Sequence, residues 1–465
     1  MAKILTPPKS DAATVHGAVP PGPPAHFLLG NVPQLQQNNV HYMLALTRQY
    51  GDLVKFRFLR RDTYLVNHPD FIKHILQENN RNYTKDVFEY NLVKKLMTRN
   101  GLLTNSDADS WLRQRRLAQP AFHRQRIADL GALMTSAAVN VLETWEDHAK
   151  NGQALDVGAS MMALTLRIVA QALFGTNVSS VTAQIGRAFD ALNVFLATAY
   201  YKPYLLIPGF PAALRRQALT ARKTLDRVVL AIINERRHQN ADQGDLLSLL
   251  LLAQDEETGE RMSDTQLRDE VLTLLLAGHE TTAVALTWTW FLLAQHPAVE
   301  HRLHQELAEV LGGRIPTIGD LPRLAYTRMV VDETLRLYPP VWYFGRKALD
   351  ADEIGGYHLP AHATFYISPY TMHRHPGFWE HPETFDPQRF TPERSADRPR
   401  YAYLPFGGGP RQCIGNNFAL TEAHLILAML AQHYKLQLAP GHPVEVEGLI
   451  TLRPRQGMKM IVHRR

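Results

Sequence analysis

The sequence predicts a mainly helical fold with a smaller β portion, and three observations carry that prediction. Apolar residues recur at helical spacing through most of 109–255. A single helical run extends from Ser263 to the stop at His296-Pro297. Strand-like alternation is confined to short pieces, near 52–67 and again up to Pro369. No internal repeat or low-complexity linker divides the 465 residues. The expected organisation is one large domain over 26–465, preceded by a flexible proline-rich arm at 1–25.

In chain order, Pro20-Pro21-Gly22-Pro23-Pro24 reads as a stiff entry to the folded part. Residues 52–58 and 63–67 alternate as two strands joined near Arg60-Arg61-Asp62. Pro69 opens a helix at its first position, running to about Glu78. The helical stretch 109–255 breaks at 207–211, which carries two prolines and a glycine. Ser263 and Gln266 have capping-box spacing, and the helix they open reaches on the order of 50 Å at about 1.5 Å per residue. A further helix covers 324–337 and stops at Pro339-Pro340; a last one covers 414–434.

Composition bounds the function. Hydrophobic residues make up 45% and charged ones 20%, enough for a sizeable core. No uninterrupted apolar run of roughly 18 residues is present, so no transmembrane anchor is expected. The polar N-terminus lacks a signal-peptide layout, and a cytoplasmic location is expected. The net charge of +6 is mild and no dense Lys/Arg run stands out, which argues against nucleic acid and leaves room for a basic face toward an acidic protein. A single cysteine excludes intrachain disulfides. Lone cysteines are commonly small buried hydrophobes, so the neighbours of Cys413 decide its meaning.

Those neighbours are Phe406-Gly407-Gly408-Gly409-Pro410-Arg411-Gln412-Cys413-Ile414-Gly415. Glycines let the backbone turn tightly and approach a flat ligand. Cys413 is expected at a helix start, where free N–H groups favour a thiolate. Arg411 suits a carboxylate of a bound cofactor. A phosphate loop would end in Gly-Lys-Ser/Thr, and a structural zinc site would need further cysteines; neither is here. The loop points to haem. It resembles the haem-binding signature of the cytochrome P-450 family at Phe406, Gly409, Arg411, Cys413 and Gly415.

The fold that this resemblance implies places haem between a long central helix and the cysteine loop, with Cys413 as the iron ligand. Ala277-Gly278-His279-Glu280-Thr281-Thr282 resembles the family's oxygen-activating segment, with Glu280 and Thr281 as an acid–alcohol pair and Ala277 against the cofactor. By residue type alone the segment could be a polar helix face, but its flanks are too apolar for a surface helix. His279-Glu280 would open a zinc protease motif only with histidine at 283, which is alanine. Glu333 and Arg336, alone, would suit a surface ion pair; the resemblance gives them, with Arg389, a structural role beneath the cysteine loop. Trp111, Arg115 and Arg346 match positions that hold haem propionates, though each arginine could equally be a surface charge.

The activity implied by the resemblance is insertion of one oxygen atom from O2 into a lipophilic fatty acid, terpenoid or steroid, on haem b, with electrons from a separate ferredoxin or flavodoxin system. Arg113, Arg116, Arg124 and Arg126 could form its docking face. A peroxide-driven enzyme, a haem sensor or electron carrier, and an isomerase of the same fold stand as alternatives. The implied pocket draws on Phe88, Leu103, Phe195, Trp342, Tyr343 and Ile450. Motif detail is closest to the fatty-acid-hydroxylating branch, where Arg60 and Tyr64 could anchor a carboxylate; a solvated hairpin turn is the favoured reading of that pair.

Overall fold

The computed structural model describes residues 19–175, 179–201, 205, 213–239, 243–255 and 257–465. The break expected at 207–211 lies outside them. Helices dominate. Among them are α1 (Val32–Tyr50), α2 (Ala108–Ala118), α3 (Gly131–Asn151), α4 (Val157–Phe174), α5 (Ser179–Tyr201), α6 (Ala213–Gln239), α7 (Asp264–Gln295), α8 (Ala325–Leu337) and α9 (Asn416–Ala431).

The main part of the β portion is a five-stranded sheet, with smaller two- and three-stranded sheets besides. Its strands are β1 (Leu53–Phe58), β2 (Arg61–Val66), β3 (Tyr83–Thr84), β4 (Phe344–Ala348) and β5 (Thr364–Ile367), in the spatial order β1-β2-β5-β4-β3. The β1–β2 hairpin pairs Leu53 with Val66 and Phe58 with Arg61; β2 then runs parallel to β5. The chain before the hairpin is not loose over its whole expected length. Lys55 N–H donates to Pro21 O at 2.8 Å, and a Cβ on Gly22 would stand 1.7 Å from Lys55 O, so residues 21–22 lie on β1. A free arm ending at 25 is therefore too long.

Helix α7 organises the rest. Ser263 caps it by accepting from Gln266 N–H, and His296-Pro297 ends it. Its 32 residues are buried on nearly every face, as expected of a helix that crosses a core rather than covering one. Both α4 and α7 are long and apolar enough to cross a membrane by composition, yet most of each is buried inside this protein. Gly278 brings α4 and α7 together: a Cβ there would lie 2.9 Å from the Val169 side chain. At the same level the Thr165 hydroxyl on α4 donates to His279 O at 2.8 Å.

Candidate active site

The cavity lies between the middle of α7 and the cysteine loop. Ala277 sits mid-helix with buried residues on both sides, yet it is exposed, because its surface opens into the cavity. Thr281 lines the same wall, and its hydroxyl donates to Ala277 O at 2.7 Å. Such a bond from a threonine to a carbonyl four residues back is compatible with helix but tends to bend it.

The opposite wall is the cysteine loop. Gly409 has φ +67°, and a Cβ there would stand 1.7 Å from Leu76 O, so only glycine fits this turn. Cys413 N–H donates to Phe406 O at 3.0 Å, which closes the loop and aims the side chain into the cavity. The sulfur is open to the cavity but remote from bulk water. Burial pushes the thiol up, opposed by a hydrogen bond from Gly415 N–H and by the charges of Arg115 and Lys85. Helix α9 begins only at Asn416, so Cys413 precedes the first turn rather than opening it. One neighbouring N–H and two cations supply the local positive field that the sequence assigned to the helix dipole.

One end of the cavity is cationic. Lys85, Arg115, Arg346 and Arg411 all line it, with Trp111 and Tyr90. Among the described residues none of these four cations is paired with an acidic side chain. Each is steadied by neutral groups instead. Lys85 Nζ donates to Leu103 O at 3.0 Å, Arg115 to Gln412 O at 2.9 Å and Arg411 to Asn105 O at 2.7 Å. The Arg346 guanidinium bonds Tyr90, and Arg411 lies over the Trp111 ring at 4.1 Å. Burial and the neighbouring arginines hold Lys85 well below the ordinary lysine value. Burial brings Arg411 down to about 10. Four cations gathered without an anion, Lys85 and Arg346 buried and Arg115 and Arg411 half-buried, are costly, and a ligand bearing two carboxylates would relieve them. Lys85 and Tyr90 were not identified from sequence, because a lone lysine after a two-residue strand carries no signal of its own.

Several expected residues lie elsewhere. Glu280 is buried on α7 outside the cavity wall, its oxygens accepting from Asn193 Nδ2 at 2.8 Å and Thr451 Oγ1 at 2.7 Å. It tethers α5 and the C-terminal loop to α7. Of the six expected pocket residues only Leu103 lines the cavity. Trp342 and Tyr343 turn into the core beside the sheet, where Trp342 Nε1 donates to Leu449 O; their flanking neighbours Val341 and Phe344 reach the cavity. Phe88, Phe195 and Ile450 pack in the main helical core. Tyr64 is buried against Phe365 while Arg60 is exposed at the hairpin turn, so the two do not form a joint anchor at the cavity.

Glu333 and Arg336 are wholly buried. Arg336 grips both Glu333 oxygens at 2.6 and 2.8 Å and also donates to the carbonyls of His373, Pro382 and Thr384. Arg389 stands 3.3 Å from Glu333. Arg113 is paired with Glu260, and Arg116 with Asp255 and Glu257. These two are therefore largely neutralised as a docking face, which leaves Arg124 and Arg126 exposed.

The residues present fit a haem. A thiol and a small alanine face one slot from opposite sides, and the cations gather at one end, where two propionates would lie.

The family model described as Cytochrome P-450 matches residues 20–460. The cyclooctatin synthase of Streptomyces melanosporofaciens is 40% identical, over 96% of this chain and 93% of that protein. The pentalenene oxygenase of Streptomyces avermitilis is 35% identical, over 96% of each. A crystal structure of a cytochrome P-450 haem domain superposes with a TM-score of 0.88 at 30% identity, covering 97% of this chain and 98% of that one.

Proposed function

The chain belongs to the cytochrome P-450 family and is one of its monooxygenases, and from that premise we propose that its substrate is a terpenoid. The observation that carries the reading is the Cys413 sulfur opening into a largely apolar slot against Ala277 and Thr281. Haem b is the proposed cofactor, supplying the oxygen-activating chemistry when bound. Cys413 would hold the iron, while Lys85, Arg115, Arg346 and Arg411, with Trp111 and Tyr90, would hold the propionates. Phe406, Gly409 and Gly415 shape the loop beneath. Glu333, Arg336 and Arg389 support that loop from below.

Thr281 presents a hydroxyl on the cavity wall and can hold a proton there. Glu280 acts at one remove, by fixing α5 and Thr451 against α7. Two hydroxyls of the α7 wall are already engaged, Thr273 with Asp269 O and Thr281 with Ala277 O, so they leave a substrate to be recognised mainly by shape. That suits a cyclic hydrocarbon skeleton better than a fatty acid, and two relatives are named for a terpene, pentalenene, and for a cyclooctatin-type alcohol. O2 is the co-substrate, and a ferredoxin or flavodoxin with its reductase is the proposed electron source. We read the chain from residue 21 to 465 as one cytoplasmic catalytic domain.

The test is the absorption spectrum of the reduced protein with and without carbon monoxide. A strongly red-shifted Soret band that disappears in Cys413→Ser supports thiolate ligation. A band typical of histidine ligation overturns it. Cyclic terpene hydrocarbons should shift the resting spin state more than long-chain fatty acids do, and the reverse order sinks the substrate reading. Turnover driven better by peroxide than by a reductase would move the peroxygenase alternative ahead.

A further inference from the structure

Residues 99–105 form a turn on the cavity wall beside α7, and Leu102 and Leu103 line the cavity. The turn is tied from two sides. Away from α7, Lys85 holds Leu103 O, Arg411 holds Asn105 O, and Gln114 holds Asn100 O at 2.6 Å. On α7, Asp269 accepts from Asn100 N–H at 3.2 Å and Glu270 accepts from Leu102 N–H at 2.9 Å. Gly101 lets the backbone lie directly on the helix: a Cβ there would stand 2.1 Å from Thr273 Oγ1. Glu270 is 1% exposed, and its second oxygen, Oε1, has no hydrogen-bond partner among the described residues. A carboxyl held in this way costs stability. What it secures is the backbone of a residue in the cavity wall.

We propose that Glu270 is a positioning residue for substrate selection, fixing Leu102 and with it the wall that decides which carbon of the substrate is presented to the haem. The proposal rests on the cavity being the substrate site. Asn100, Leu103 and Asn105 keep their other ties when Glu270 is removed, so the turn persists and Leu102 shifts locally, its N–H left without an acceptor. Burial, and to a lesser degree the adjacent Asp269, push the Glu270 carboxyl up to about 8. The other charged groups gathered here are Arg268, paired with Asp269 and with Asp226 of α6, then Arg222 of α6 and Arg99 of the turn. Ionisation near pH 8 places a second negative charge beside Asp269 under the turn.

The experiment titrates the holoenzyme and its Glu270→Ala and Glu270→Gln variants with two azoles, read by the Soret shift. Imidazole reaches only the iron; 4-phenylimidazole also presses a ring on the cavity wall. Glu270→Ala should change the Kd of 4-phenylimidazole on the order of tenfold and leave that of imidazole unchanged. Glu270→Gln, neutral and still carrying an acceptor oxygen, should match the parent at pH 7. The parent's affinity for 4-phenylimidazole should change across pH 8, while that of Glu270→Gln stays flat. Equal effects on both azoles, no effect on either, or the same pH response in parent and Gln variant would overturn the proposal. Azole binding needs no terpenoid, so failure of the terpene spin-shift test leaves this result interpretable.

Discussion

At the scale of single residues, the cationic end of the cavity gives the sharpest expectation. Lys85 stands beside three arginines that it repels, a contribution that a bound dianion would reverse. Without haem, Lys85→Met should therefore stabilise the protein, on the order of 1–2 kcal/mol, because it removes a buried like charge. With haem bound the same variant should release the cofactor faster. Thermal melting of the two forms and haem transfer to an acceptor protein measure both arms, and a variant that loses stability in the haem-free form contradicts the electrostatic account. Cys413 poses the complementary case. Its thiol is pushed up by burial and pulled down by Gly415 N–H, Arg115 and Lys85. Lys85→Met should thus also raise the pH at which the haem-free thiol reacts with an alkylating reagent.

Among elements, α8 shows how a buried ion pair positions a distant loop. Arg336 uses a planar fork to hold both oxygens of Glu333 and three carbonyls of the 373–384 segment. Lysine keeps the charge but not the fork. Arg336→Lys should cost about 1–3 kcal/mol, the scale of leaving buried hydrogen-bonding groups unpaired, and should be seen as failure to incorporate haem rather than as reduced turnover. Soluble, haem-loaded Arg336→Lys at normal yield would show that the 373–384 segment is held by other means. Gly409→Ala tests the cysteine loop itself. The added methyl would meet Leu76 O and the backbone is at positive φ, so the loop must move, and the carbon monoxide band should weaken or shift.

For the whole molecule, buried titratable groups set the pH at which the fold is most stable. Glu270 and Glu422 are raised from 4.5 to about 8, both chiefly by burial. For such a group the folded state binds the proton more tightly, so its stabilisation is full below the unfolded value and is lost as pH rises from about 4.5 to about 8. Buried histidines act in the opposite direction. His373 is lowered from 6.5 to about 3, and His424 to about 4, so stability is lost as pH falls below 6.5. The two windows place the maximum between about 4.5 and 6.5. Calorimetric melting across pH 4–9 should find it there. The advantage of Glu422→Gln over the parent should grow toward pH 8, by a few kcal/mol at most. A maximum above pH 8 would refute the assignment of these carboxyls as buried acids.

Much of this protein is legible in its sequence. The cysteine loop, the Ala277–Thr282 segment and the order of helices follow from local rules: glycines where a turn demands them, an apolar run too continuous for a surface, prolines at helix ends. The span of α7 from Ser263 to His296 is readable because caps and stops are properties of neighbouring residues. What only the tertiary structure decided depends on contacts between residues far apart in the chain. The direction of Glu280 away from the cavity, the inward turn of Trp342 and Tyr343, and the pairing of Arg113 with Glu260 are such cases. So is the meeting of Lys85, Arg115, Arg346 and Arg411 from four separate segments. Sequence determines which groups can ionise, bend or bind. Packing alone determines which of them share a dry space, and there the cost of an unpaired charge turns neighbours into a site.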